Sequence, residues 1–559
     1  MSAGRAPAVS RPDPAPASRD GGAGGAAVSG GFVGTGALVR LALRRDRIML
    51  PAWIAGIVLL AAGSAAAAAD LYSTVESRIA SATAANNTTA LVALYGRVYD
   101  PASEGGISMV KTGGIGAVMI ALLSIIVVVR HTRAEEESGR LELVGATVVG
   151  RFAPLTSALI VATGTNAVLA LLTAVSVAGA GMPTAGSFAF GLAWGGVGIA
   201  FAAIAAVTAQ VSSTARGATS LAAIVLGVVY VVRAVGDTAG QDGPTWMSWL
   251  SPIGWGQQFR PYSGDRWWVL LLMLGFAAVV VMGSYALVER RDIGAGLIAD
   301  RLGPAGSTRL NSTFALAWRL QRGSLFGWAV AFAGLGLVLG NIAGNVGGFV
   351  DSPSAREMVA KLGGTDALTD AFISAEMGIM GLVASIYGIQ AAVRLRSEET
   401  GQRAEPLLAA AVSRTGWAWS HLAIAFGGPV LLVAATGVGA GLSHGASSGD
   451  MSRFGPVFVS AVLQVPAAWV LIGIAVLAFG AAPRLIAAGW VALVAFLLLG
   501  QLGPLLELDQ WAMDLSPYTH IPRFPAGDID PLPLVWLVLI AAALVAAGLA
   551  AFRRRDITT

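Results

Sequence analysis

The 559-residue chain has no cysteine, only two lysines (Lys111 and Lys361), four histidines, and charge on just 12% of its residues. Each shortage removes a class of chemistry. Without cysteine there are no disulfide staples, thiolate metal sites or cysteine nucleophiles. The histidines, His131, His421, His444 and His520, lie too far apart in sequence to pair as metal ligands, and each is expected at a loop or a span end. A nucleotide P-loop needs Gly-Lys-Ser/Thr so that the lysine can reach the terminal phosphates. Neither lysine follows a glycine, so the chain carries no Walker-type ATP site. The scarcity of charge excludes a soluble domain: 55% of the residues are hydrophobic, the mean hydropathy is +0.71, and nearly uncharged runs long enough to cross a bilayer recur throughout. Backbone amides in lipid must be satisfied within their own segment, and the short alternating segments of a barrel are missing. The expected fold class is an all-α polytopic membrane protein.

Residues 1–36, rich in Pro, Gly, Ala and Ser, read as a disordered cytosolic tail. Residues 37–50 alternate leucines with Arg40, Arg44, Arg45 and Arg47, the pattern of an amphipathic helix lying at the inner membrane interface. Apolar spans follow at 49–69, 112–130, 154–181, 187–211, 218–236 and 267–288, and again at 325–349, 374–393, 417–442, 454–482, 485–504 and 534–552. Arginines at 290, 291, 394, 396, 484 and 553–555 flank alternate span ends and place both termini in the cytosol.

The chain repeats itself. The segment ALRRDRIMLPAW ending at Trp53 recurs as AWRLQRGSLFGW ending at Trp328, pairing Arg44 with Arg319 and Arg47 with Arg322. Leu-Ser-Pro recurs at 250–252 and 515–517, and Arg-Arg-Asp-Ile at 290–293 and 554–557. Two charged loops, RHTRAEEESGRLELVGATVVGR from Arg130 and RLRSEETGQRAEPLLAAAVSR from Arg394, stand between apolar runs. Aligned on Glu-Glu-Ser/Thr-Gly, Glu136 and Glu137 answer to Glu398 and Glu399. After one inserted residue, Glu142 and Arg151 answer to Glu405 and Arg414. The expected domains are a first six-span half at 37–293, a cytosolic linker at 294–311 and a second half at 312–559. An even number of spans per half makes the halves parallel in the membrane, with a substrate path most simply between them.

A charge run between spans usually marks a solvated loop, but its duplication with the Glu-to-Arg spacing kept points to a docking surface. A helix over residues 140–149 would place Leu141, Val144 and Val148 on one side. Within the spans, Asn166, Asn341, Asn345, Gln390 and Gln464 are the polar candidates for a substrate path. Glu376, Asp70 and Arg233 sit near outer span ends, so no charge marks an ion pathway at the bilayer centre. Residues 296–303 resemble the inner-loop signature of major facilitator transporters, though they follow the sixth span rather than the second.

Taken in order, the interfacial helix, first span, long outer loop, second span, short charged inner loop, three more spans with an aromatic outer loop, and a sixth span resemble the type-2 permeases of ATP-binding-cassette exporters. With RAEEESGRLEL, RSEETGQRAEPLL and RRDIGAGLIADRLGP, the tandem form is similar to the fused twelve-span permeases of actinobacterial polyketide-antibiotic and multidrug exporters. The resemblance covers nearly the whole chain beyond residue 36. It implies a transport subunit of the bacterial cytoplasmic membrane rather than an enzyme, holding no cofactor of its own. Separate ATPase subunits, expected as two copies, would bind ATP and Mg and sit on coupling helices carrying Glu136, Glu137, Glu142, Arg151, Glu398, Glu399, Glu405 and Arg414. The implied cargo is a hydrophobic or amphipathic drug-like molecule moved outward, with no nucleic-acid partner. Two rivals stand beside this: a proton-coupled transporter working through Glu376, and a membrane-embedded transferase using Asp509 and Asp514 or Asp528 and Asp530.

Overall fold

The computed structural model describes residues 30–72, 74–140, 149–239, 244–292, 294–298, 310–344, 365–502 and 509–555. Among them every regular element is a helix. The first repeat contains α1 (Thr35–Arg45), α2 (Met49–Leu71), α3 (Val75–Asn87), α4 (Thr89–Tyr95), α5 (Glu104–His131), α6 (Arg133–Glu137), α7 (Ala153–Gly179), α8 (Thr184–Val211), α9 (Ala215–Thr238), α10 (Pro252–Gln258) and α11 (Trp268–Glu289). The second contains α12 (Thr313–Gly344), α13 (Thr365–Thr400), α14 (Glu405–Leu408), α15 (Arg414–Ser448), α16 (Phe454–Val462), α17 (Val465–Ala481), α18 (Ala488–Leu502), α19 (Gln510–Met513) and α20 (Pro531–Arg554). Twelve helical stretches among the described residues are long and apolar enough to cross a membrane, and the chain is an all-helical, multi-pass membrane protein.

The backbone falls into two compact units, residues 1–78 with 99–301 and residues 79–98 with 302–559. Unit 2 therefore takes in α4, which in sequence lies between the first two spans of the first repeat, and α4 packs there on α12.

Each unit is built around small residues. Lipid is as apolar as leucine, so packing in a bilayer relies on close backbone approach rather than on the hydrophobic effect. In unit 1, α8 runs through the centre, and a Cβ on its Gly191 or Gly198 would overlap the Ala170 carbonyl or the Asn166 amide of α7. In unit 2, Gly336 and Gly340 of α12 meet the backbone of α15 at Thr436 and Ala440, while Gly480 of α17 meets Gly548 of α20.

Three of the boundaries that differ from the sequence expectation have a clear local reason. The interfacial helix of the first repeat stops at Arg45 instead of continuing to residue 50. Pro51 has no N–H to offer the carbonyl four residues back, and its ring crowds that carbonyl, so the helix restarts at Met49 with the proline in its first turn. Phe326 replaces the proline in the second repeat, and α12 runs unbroken through interfacial segment and span. The second span begins at Glu104, not near 112, because the Ser103 hydroxyl caps the Gly106 N–H at 3.2 Å.

At the end of each unit away from the charged loops, the repeated Leu-Ser-Pro opens a short helical turn. Ser251 caps the Gly254 N–H at the start of α10, and Ser516 caps the Tyr518 N–H. Beyond α10, Tyr262 wedges against Gly105 and Gly186 with its hydroxyl 3.1 Å from Ser187 Oγ, and burial pushes its phenol up to about 12. In unit 2, Tyr518 reaches Ser385 at 2.5 Å.

The glycine seams give a direct test. Gly340→Leu is expected to destabilise the chain by about 1–3 kcal/mol through overpacking. Gly334→Ala, where a Cβ meets open space, should be neutral or gain up to about 1 kcal/mol. Thermal unfolding of the two variants in one detergent separates these outcomes.

Candidate functional site

The first charged loop leaves α5 at a kink, where Thr132 has φ −120° and ψ −89°, and continues as α6. Its charges are spent on the ends of neighbouring helices, where the last carbonyls and first N–H groups have no partner in their own helix. Arg133, fully buried, donates through Nε to the Ala209 carbonyl in the last turn of α8 at 3.0 Å. Glu137 accepts the Ala215 N–H at the first residue of α9 at 2.8 Å. Arg151 donates to the carbonyls of Val288, Glu289 and Arg291 at the end of α11, at 2.7, 3.2 and 2.8 Å.

Glu136 is the centre of this arrangement. Arg291 grips it with two parallel bonds, Nη1 to Oε2 at 2.9 Å and Nη2 to Oε1 at 2.6 Å, and Arg133 adds a third at 2.8 Å. Its side chain is only 7% exposed. Arg291 is held in turn by Gln210 Oε1 at 2.6 Å, and both arginines share the Ala295 carbonyl at 3.1 Å. That carbonyl immediately precedes the segment likened above to a facilitator signature. The segment follows α11, and its Leu297 and Ile298 N–H groups bond to Gln210 and Val211 at the end of α8.

The second loop repeats the central grip. Arg555, just past α20, donates to both oxygens of Glu399 at 2.7 and 2.9 Å, with Arg396 at 3.3 Å. Arg414 donates to the Arg555 carbonyl at 2.8 Å, as Arg151 does at the end of α11. Glu398, also buried, takes Arg403 at 2.8 Å and Arg394 at 3.1 Å.

These contacts revise the alignment of the two loops. Arg133, Glu135, Glu136, Arg140 and Arg151 correspond to Arg396, Glu398, Glu399, Arg403 and Arg414 at one constant offset, with no inserted residue. Arg140 pairs with Glu135 at 3.5 Å and Arg403 with Glu398 at 2.8 Å, and the left-handed residues Gly139 and Gln402 fall at matching positions. So Glu136 answers to Glu399, not Glu398, and Glu137 answers to Thr400. Sequence alone offered three adjacent glutamates against two and could not say which pointed inward. The inward carboxylates brace the unit from within. Glu137 and Glu405, which opens α14, are exposed. Glu142 and the stripe of Leu141, Val144 and Val148 lie outside the described residues.

The remaining candidates separate. Arg44, Arg47, Arg319 and Arg322 are exposed on α1, the α1–α2 turn and α12. Asn166 is buried in unit 1, donating to Ser124 Oγ at 2.9 Å and the Ala162 carbonyl at 2.8 Å. In unit 2, Asn341 is half-buried, Gln390 is exposed, and buried Gln464 bridges the α16–α17 break with a 3.4 Å bond to the Ser460 carbonyl. Asn345 lies outside the described residues. Arg233, at a span end, is buried and neutralised by Asp237 at 3.3 Å. Of the carboxylates proposed for a transferase, Asp530 caps α20 and Asp514 accepts from Gln510. The residues that sequence reasoning did not place at this site are Arg133, Arg396, Gln210, Arg291 and Arg555. The repeated Arg-Arg-Asp-Ile was the signal for the last two.

A family model described as the C-terminal domain of the multidrug efflux system permease Rv1217c matches residues 37–287 and 310–553. The multidrug efflux system permease protein Rv1217c of Mycobacterium tuberculosis (strain ATCC 25618 / H37Rv) is 44% identical over 532 residues, covering 94% of this chain and 96% of that protein.

Removing one partner of the buried Glu136–Arg291 grip leaves an uncompensated charge. Arg291→Met is expected to cost about 3–5 kcal/mol, and the exchange Glu136→Arg with Arg291→Glu to recover part of it. Thermal unfolding of the three chains in detergent checks this. Equal losses in the single and exchanged variants would deny the pair its role.

Proposed function

The chain belongs to the Rv1217c multidrug efflux permease family, and from that membership we propose that it is the membrane-spanning subunit of an ATP-driven exporter of hydrophobic or amphipathic drug-like molecules. Separate ATP-binding-cassette subunits, two per chain, bind ATP and Mg and hydrolyse it. The charged-loop ends of both units face the cytosol of a bacterial cytoplasmic membrane, in keeping with the arginines clustered at those ends.

The observation that carries the reading is the duplicated clamp. In each unit a short charged loop is joined through a buried, doubly bonded carboxylate to the end of the last span. A push delivered to such a loop reaches α11 or α20 without passing through a flexible linker, as a transmission point requires. The exposed Glu405, with Glu142 as its counterpart in the sequence, is the seat offered to the ATPase. Having no Gly-Lys-Ser/Thr of its own, the chain depends on a partner for nucleotide.

Purification from native membranes in mild detergent should bring down a nucleotide-binding partner at about two copies per chain, with vanadate-sensitive ATP hydrolysis stimulated by drugs. Glu142→Arg with Glu405→Arg should leave the chain inserted but abolish that stimulation. Efflux that needs only a proton gradient, stops on Glu376→Gln, and proceeds with no ATPase bound would overturn the proposal.

A further inference from the structure

The two interfacial segments are attached to their units by different means. In unit 1, α1 ends at Arg45, and residues 46–48 separate it from the first span. It is a short element with its own joint. Two side chains at that joint reach the charged loop and the end of α5. Arg45 pairs with Glu135. Asp46, fully buried, accepts from His131 Nε2 at 2.6 Å and faces Arg130 Nε at 3.0 Å.

Among the described residues, unit 2 has neither the joint nor these ion pairs. In the repeated segment, Pro51 is replaced by Phe326, Arg45 by Leu320 and Asp46 by Gln321. The helix runs straight into the span, Leu320 is exposed, and Gln321 turns to His421 of α15 at 3.2 Å. Among the described residues no ion pair joins residues 313–325 to residues 394–403. The Glu398 carboxylate, equivalent to Glu135, bonds instead to Arg394 and Arg403 of its own segment. The loops differ in the same sense: α5 breaks at Thr132, whereas α13 runs unbroken through Glu398 and Glu399 to Thr400.

We propose that Arg45 and Asp46 are positioning residues that make α1 a lever moved by the first charged loop, and that the second half has no such lever. Both halves share the clamp on the last span. Only the first adds a hinged interfacial helix pinned by ion pairs, while the second holds its interfacial segment and loop through continuous helices. This rests on reading the charged loops as the points where the ATPase acts. A symmetric pair of ATPases then drives two mechanically unequal halves, the first moving a membrane-surface helix as well as its last span.

The cysteine-free chain allows spin labels to be placed without background substitutions. One labelled chain carries Leu41→Cys with Ser138→Cys, the other Phe314→Cys with Thr400→Cys, all at exposed or loop positions. Distances are measured by double electron–electron resonance on the purified chain alone, without nucleotide. Arg45→Leu with Asp46→Gln should spread the first distance distribution, and Arg45→Lys with Asp46→Glu should keep it narrow. Leu320→Ala with Gln321→Leu should leave the second unchanged. Raising the salt to about 1 M, where the screening length falls to about 3 Å, should weaken the part-exposed Arg45–Glu135 pair and spare the buried Asp46 contacts, so the first distribution should widen less than in Arg45→Leu with Asp46→Gln and the second not at all. A cooperative unfolding transition and an unaltered gel-filtration profile show that the variants are folded. A first distribution that stays narrow without Arg45 and Asp46, or a second that widens equally when Leu320 and Gln321 are changed, would overturn the lever. Because no ATPase is present, an absent partner would sink the ATP-driven reading and leave this result standing.

Discussion

A carboxylate taken out of water and held by both prongs of one guanidinium fixes the charged-loop end of each unit. Desolvating a carboxylate is costly, and a single donor would not offset the loss of its hydration. Glu136 and Glu399 each receive two parallel bonds from one arginine and a third from another, the planar geometry at which guanidinium and carboxylate fit best. The arginine therefore has to stand just past the final span, and the repeated Arg-Arg-Asp-Ile puts it there twice. Arg151 and Arg414 lock the same helix ends by taking their terminal carbonyls. Around that fixed point the other attachments are free to differ.

They differ through substitutions that are small in sequence and large in backbone consequence. One proline separates α1 from α2, and a phenylalanine at the matching place lets α12 continue. Once α1 is a separate piece its angle has to be fixed at both ends: Arg45 and Asp46 tie the end next to the joint, while the Gly150 and Phe152 N–H groups bond to the Val33 and Gly31 carbonyls before its first turn and Phe32 packs on Phe152. Where the helix is continuous, the backbone fixes the angle, and Leu320 and Gln321 suffice.

Much of this could be seen in the sequence. Twelve apolar segments and the ordered duplication followed from hydropathy and repeated residues, because membrane spans are long and their pattern is strong, although α12 and α13 begin more than two turns before the apolar runs they carry. The direction of individual side chains did not follow. A loop lacks the periodicity that assigns a face on a helix, and three glutamates in a row are chemically alike until the backbone turns one inward. Glu136 therefore read as a solvated docking charge, although its carboxylate is buried against Arg291. The mid-span amides were ambiguous for a related reason. The Asn166 amide N–H groups donate to its own helix and to Ser124, a pairing between α5 and α7 that no local pattern encodes.

The way each unit is held together bears on what can move. Glycine seams such as Gly336 and Gly340 against α15 bring backbones so close that sliding would drive Cα atoms into carbonyls. Those seams favour one packing over neighbouring ones. The charged-loop end is different in kind: its bonds are made by long side chains to helix termini, and because those side chains are buried and multiply bonded they carry a displacement of the loop to the spans instead of parting. A unit with stiff seams through the bilayer and a clamped loop at one end is suited to moving its spans as a rigid body with that loop.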